Sequence, residues 1–484
     1  MKTTSFVGNV LDTEKFIILV WRSTRVIGTG NRRLHLSLNL NGLGFHRAGW
    51  RHPSSQPDRV FSADYYVELA RTAERGRLDA IFLADTPAFV LMPGRSVTLQ
   101  AEPVALLSAL AVATTRVGLI GTISASYSEP YTVARQFAML DHLSGGRAGV
   151  NVVTSAGDRV AQNFGRNSHF EHATRYERAA DFLTVVTSLW DSWADDTVQA
   201  DKASGVFADL DTIVEINHIS EHFRVRGPLN IPRPPQGRPV LVQAGASTRG
   251  RDLAARWADA VYTGSSTVEN GQAFYRDVRQ RAADAGRSPD SLRILPGLIP
   301  YVGSTEREAR ELRRELEDQP EPLAGMIEEL GAVLETDLGG LDPDRPMDLA
   351  LFPDEATYGQ SVSRLVRFRQ YVHEESPTIA QFAKWVRGNL GVVHWIATGT
   401  GEQIADQLES WFRAGAADGF NLLVPLLPKG LDDFVDQVVP ELQRRGLFRR
   451  EYEGRTLRDH LGLERPAGRR SGAGPRPHEL HAEA

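Results

Sequence analysis

The sequence predicts an α/β fold, a (β/α)8 TIM barrel carrying two insertions, and three observations point there. Strand-like and helix-like segments alternate along the body of the chain. The strand-like runs are short and nearly all apolar, as in parallel sheets buried on both faces. Polar residues gather just past the ends of these runs, where barrel enzymes build their sites.

Taken in order, Arg33–Leu40 alternates apolar and polar residues, as a strand with one buried face would. A helix is expected over 62–77, capped by Ser62 or Asp64, with Tyr65, Leu69 and Ala73 on one face. Leu78–Ala84 is a nearly continuous apolar strand, followed by a helix at 103–115 and a strand at 117–123. Pro130 suits the first turn of the next helix, and Ala148–Thr154 is the fourth strand. Further helices are expected at 175–193, 248–257, 268–285, 304–317 and 430–446, and strands at 239–243, 259–263, 292–302 and 419–425. Segments 194–237 and 320–398 break the alternation and are expected as insertions between barrel units within a domain spanning 32–464. The second carries Phe352, Tyr358, Phe368, Tyr371, Phe382 and Trp385, apolar enough for a lid that keeps water from the barrel mouth.

Composition narrows the function. The 484 residues are 41% hydrophobic and 24% charged, ordinary for a globular protein. A net charge of −6 offers no basic stripe for nucleic acid, and no run approaches the roughly 20 apolar residues that span a bilayer. Cysteine is absent, so disulfides, thiolate metal sites and cysteine nucleophiles are excluded. Residues 1–31 read as a peripheral extension, since Phe16–Trp21 is shorter than the apolar core of a signal peptide. Residues 465–484, rich in Pro, Gly, Arg and Ala, read as a disordered tail. A cytoplasmic protein is expected.

Candidate chemistry sits at the strand ends: Asp85, then Thr122 and Ser124, then Asn151, Thr154 and Ser155, then Gln243–Ser247. The last of these turns into a helix, so its backbone N–H groups and the Ser247 hydroxyl could hold a phosphate; equally, Ser247 could serve only as a helix cap. Asp85, Thr154 and Ser155 have the same alternative as turn formers. His46 and His52 flank Trp50 after the first strand; His46 is the candidate general acid, and His52 reads better as packing on Trp50. His142, His169 and His172 read as structural or surface residues. No HExxH motif suggests a metal, and neither GxGxxG nor GxxxxGK[ST] follows a strand.

Trp50–Pro53, Phe82–Asp85, Glu129–Tyr131, Leu140–Arg147, Asn151–Thr154, Arg175-Tyr176, Gln243–Ser247 and Pro440–Gly446 occur in an order that resembles one family. It is the nitrilotriacetate, pristinamycin and dibenzothiophene-sulfone monooxygenases, a branch of the bacterial luciferase-like superfamily, to which long-chain alkane monooxygenase is similar. The resemblance, from about residue 33 to about 463, implies a luciferase-like barrel and a two-component system. An NAD(P)H:flavin reductase would supply reduced FMN as a diffusible co-substrate. With O2 it would give a C4a-(hydro)peroxyflavin that oxygenates a small organic substrate. The resemblance places Asp85, Thr154, Ser155 and Tyr176 at flavin contacts and Gly245, Ala246 and Ser247 at the phosphate turn; Thr122 joins them from its strand-end position alone. It also brings His46 close to a family active-site histidine, and His394 close to another. Val150 stands where relatives carry Trp, which is expected to reshape the pocket floor. A homo-oligomer, dimer or tetramer, is expected. The alternatives are an F420-dependent hydride-transfer enzyme of the same superfamily, a non-catalytic flavin-binding barrel and a hydrolase. The last lacks metal spacing and any Ser-His-Asp arrangement.

Overall fold

A computed structural model describes residues 32–468 except 90, 93–95, 98, 156, 319–321, 356–357, 359–361 and 389–393. The expected extension 1–31 and most of the expected tail lie outside the described residues.

Each apolar run becomes a strand and each amphipathic stretch a helix. In chain order the units are β1 (His35–Asn39), α1 (Ala63–Arg75), β2 (Ala80–Leu83), α2 (Pro103–Ala113), β3 (Gly118–Ser124), α3 (Pro130–Ser144), β4 (Ala148–Val153) and α4 (His172–Trp190). They continue with β5 (Val240–Gln243), α5 (Thr248–Trp257), β6 (Ala260–Thr263), α6 (Val268–Asp284), β7 (Arg293–Val302) and α7 (Glu306–Glu317). After α8 (Leu323–Leu334), α9 (Val362–Glu375) and α10 (Ile379–Gly388) come β8 (Trp395–Gly399), α11 (Gly401–Arg413) and β9 (Gly419–Leu422). A helical run from Lys429 to Arg444 follows, widened to a π-turn at Phe434–Val438. Ser62 occupies the cap position of α1, but no side chain bonds the helix start there.

The strands β1, β2, β3, β4, β5, β6, β7 and β9 pair in that order, all parallel, and β9 returns to β1 through His35↔Gly419 to Leu38↔Leu422. The result is a closed eight-stranded TIM barrel with its helices outside. A ninth strand, β8, lies within the segment expected as the second insertion and pairs with the C-terminal half of β7 from Leu298↔Trp395 to Val302↔Gly399.

Alternation along each strand sets what faces in. Thr122 and its register partner Asn151 bond to each other inside the barrel at 3.0 Å. One residue earlier, a Cβ on Gly121 would meet Leu107, Pro103 and Phe137, which lie under the helices. Val150, the register partner of Gly121, shares that outward face and is fully buried in the helix-covered core. It is therefore not part of the pocket floor, because adjacent strand residues point to opposite sides.

The N-terminal end of the barrel is plugged. Phe82, Ile120, Val242 and Tyr262 fill the interior, and Leu457, Leu461 and Leu463 from the short helix Leu457–His460 and the residues after it join them. A Cβ on Gly118 would lie 2.5 Å from a Leu457 methyl, so glycine there makes room for the plug. Around it, carboxylates tie strand starts together. Asp79, Asp141, Asp259 and Asp418 accept the backbone N–H of Leu36, Ala148, Leu241 and Ile294. Asp79 also pairs with Arg449 and His35, Asp259 with Arg458, and Asp418 with Arg32, Arg279 and Tyr275. Burial alone would raise the Asp79 pKa, but the Arg449 and His35 charges outweigh it and hold the carboxyl below its ordinary range. The first residues of the expected tail are anchored too: Arg465 pairs with Asp195 and the Pro466 carbonyl accepts from Arg233.

The two insertions differ. Segment 194–237 holds the hairpin Val198–Asp201/Val206–Ala208 and a second, smaller one at 218–225. The second insertion has its own core. Phe368, Phe382 and Trp385 pack together, and Tyr371 stacks on Trp385 with ring centroids 3.7 Å apart. These aromatic side chains form the insertion's own core. The insertion is fastened to the loop after β1 by an Arg47–Glu329 ion pair.

Candidate active site

The C-terminal ends of β2, β4 and β5 converge on a cavity of about 300 Å³ lined by Asp85, Thr86, Val153, Thr154, Ser155, Tyr176, Gln243 and Ala244. Four residues singled out from the sequence, Asp85, Thr154, Ser155 and Tyr176, therefore line one cavity. A larger cavity of about 600 Å³ lies between α8 and the 335–343 loop of the insertion, away from the strand ends. The smaller one has the convergent polar groups and is the better candidate.

Ser247 stands at the N-cap of α5, where its hydroxyl accepts the Gly250 N–H at 3.1 Å and meets the Tyr176 hydroxyl at 3.0 Å. The capping role considered for it from sequence is present, and with Tyr176 it places a hydroxyl pair at the helix's positive end. The first-turn N–H groups of a helix have no partner inside it, so the start of α5 after Gly245–Ser247 presents free donors and the positive end of the helix dipole. His172, whose ring centroid is 4.9 Å from that of Tyr176, lies beside this turn. Burial, then the Arg175 and Arg249 charges, push its pKa below the ordinary value.

Ser155 adopts φ +56°, a left-handed conformation uncommon outside glycine. It is held there from both sides. Its hydroxyl donates to the Ser124 hydroxyl at 2.7 Å, and its carbonyl accepts from Arg175 at 3.0 Å. The Thr154 carbonyl accepts from Ser126 at 2.7 Å. Across the cavity Asp85 is half-buried; burial first, then the Glu102 charge, raise its pKa.

The remaining expectations fall elsewhere. Thr122 is 4% exposed inside the barrel, bonded to Asn151 and not among the cavity-lining residues. His46 lies on the β1–β9 side, where its N–H donates to the Pro425 carbonyl at 3.0 Å and its Nδ1 accepts the Ala48 N–H at 3.2 Å. His52 bonds Ser54 and reaches toward Glu315 at 3.8 Å. His394, past α10, packs edge-on against Phe45 and over Gly297; burial, then Arg364, push its pKa down to about 4. Gln243, singled out from the sequence as a polar strand end but given no cofactor role there, also lines the cavity.

Comparison with known proteins agrees with this geometry. The family model described as luciferase-like monooxygenase matches residues 43–418. The chain is 45% identical over 440 residues to N-acetyl-S-(2-succino)cysteine monooxygenase of Bacillus subtilis (strain 168), covering 90% of this chain and 98% of that protein. It is 47% identical over 449 residues to nitrilotriacetate monooxygenase component A of Aminobacter aminovorans, again covering 90% and 98%. Among solved structures it is similar to a riboflavin lyase determined with modified FMN and substrate riboflavin, with TM-score 0.80, 30% identity, and coverage of 91% of this chain and 98% of that one.

Proposed function

The chain belongs to the luciferase-like monooxygenase family and is an oxygenating enzyme, and from that premise we propose that it is the oxygenase half of a two-component system. It takes reduced FMN from a separate NAD(P)H:flavin reductase and uses O2 to oxygenate a small organic substrate. The relatives at 45% and 47% identity are named for molecules bearing several carboxylates, so a carboxylate-bearing substrate is the first class to test. A cytoplasmic homo-oligomer completes the reading.

The observation that carries it is the Tyr176–Ser247 hydroxyl pair at the start of α5, opening on the strand-end cavity. The residues present fit FMN. The helix start and Ser247 suit its phosphate, Gly245 and Ala246 let the backbone approach, and Asp85, Thr154 and Ser155 offer polar contacts along the cavity. Thr122 stays in the proposed set only as support from behind, through Asn151. Bound reduced FMN would supply the electrons that activate O2. His46 is assigned the proton-donor role: with Nδ1 accepting from the Ala48 N–H, Nε2 is the nitrogen that donates. The second insertion, held over the β1 loop by Arg47–Glu329, helps to keep water out.

Purified protein with a flavin reductase, FMN and candidate substrates tests this. Substrate-dependent consumption of NADH and oxygen is expected, from a nearly colourless protein that binds reduced FMN more tightly than oxidised FMN. A tightly held yellow flavin reduced by NADH without a partner contradicts the reading, as does binding of F420 in place of FMN.

A further inference from the structure

One polar group in the cavity is accounted for by neither capping nor packing. Gln243 ends β5 and is 6% exposed, yet its Oε1 is buried without a hydrogen-bond partner. Buried carbonyls are nearly always paired, so an unpaired one facing a cavity marks a group that a ligand completes. The site is built around this amide. A Cβ on Gly245 would lie 2.5 Å from Gln243 Nε2, so a side chain there would push the amide out of its present place. The same amide shares its cavity with Asp85, Thr154, Ser155 and Tyr176.

Its position narrows what it meets. Ser247 and Tyr176 mark the helix start, where an anion sits. Gln243 lies at the strand end that precedes this turn, between the helix start and the barrel interior. A ligand anchored by its phosphate at α5 therefore passes Gln243 with whatever adjoins the phosphate. We propose that Gln243 is a cofactor-binding residue that recognises the polyhydroxylated arm next to the phosphate, its carboxamide pairing with a hydroxyl of that arm. A carboxamide carries an acceptor and two donors, and a hydroxyl is both, so the two are complementary in either orientation. The inference rests on the reading that this cavity takes FMN.

Anaerobic titrations with reduced FMN, riboflavin and lumiflavin test it on the full chain. Riboflavin keeps the arm without the phosphate, and lumiflavin lacks both. Gln243→Leu and the near-isosteric Gln243→Met are compared with the wild type, with circular dichroism and melting as checks of folding; the Met variant keeps the volume if the Leu variant unfolds. Both variants should bind FMN and riboflavin roughly tenfold more weakly, the loss of one buried hydrogen bond, and bind lumiflavin unchanged. Unchanged affinity for FMN and riboflavin would overturn the proposal by assigning the carbonyl's partner to a water. An equal loss for lumiflavin would overturn it by assigning Gln243 to the ring. If the wild type binds no flavin, the cofactor reading itself falls and takes this inference with it.

Discussion

The two ends of the barrel are made of the same strands and treat polar atoms in opposite ways. At the N-terminal end, Asp79, Asp141, Asp259 and Asp418 each accept a backbone N–H from a neighbouring strand, and three of them also hold an arginine. Toward the C-terminal end, buried acceptors on Gln243, Asn421 and Thr398 and the Nδ1 of His394 have no hydrogen-bond partner. The carboxylates of the lower end are all paired within the protein; these acceptors of the upper end are not. A barrel of this kind separates stability from chemistry along its axis, so substitutions at one end should leave the other's property intact.

Removing a carboxylate at the closed end tests that separation most severely. Asp79→Ala strands Arg449 and the Leu36 N–H in a buried setting, a loss of roughly 3–5 kcal/mol in folding stability. Denaturant unfolding should register it, while the affinity of the folded fraction for reduced FMN stays unchanged. A matching loss of affinity would show that the two ends are coupled.

The converse substitution is Ser247→Asp. It sets a negative charge against the phosphate at a helix start where Asp is itself a favoured cap. Loss of the charge-assisted contact weakens FMN binding by roughly 1.5–3 kcal/mol, about ten- to a hundredfold, whereas the melting temperature should hardly move. An unchanged FMN dissociation constant would remove Ser247 from the site.

Acidification sharpens the comparison least but reaches a misfit of the closed end. His460 is 4% exposed, neither ring nitrogen has a hydrogen-bond partner, and burial first, then Arg449, push its pKa down to about 4. A histidine depressed in the fold contributes stability that is fully present above its unfolded pKa, near 6.5, and lost as the pH falls from there toward 4. Stability should drop by on the order of 1–2 kcal/mol by pH 5, and His460→Gln should shrink that drop. A variant with the wild-type pH profile would clear His460 and leave the drop to His394.

The sequence disclosed the closed ring because strands buried on both faces read as apolar runs whatever packs on them. It hid β8, which is five residues long, mostly half-buried and without alternation. The strand-start carboxylates were in view, since Asp79, Asp259 and Asp418 each directly precede a small residue that opens a strand. Their pairing was not, because Arg449 lies 370 residues from Asp79. The cavity wall was readable from strand ends alone. Val150 was misjudged, although counting inward and outward positions from Asn151 would have placed it under the helices.

That plug also orders events at the ribosome. The barrel closes on β9, but the leucines that fill its lower end come at 457–463, after everything else in the domain has been made. A nascent chain that has completed every strand still has an open, wet lower end, and Asp79 and Asp259 wait for Arg449 and Arg458. Vectorial synthesis therefore delivers the stopper last, and a premature stop codon between residues 423 and 457 yields a chain with all its strands but without the leucines that close its lower end.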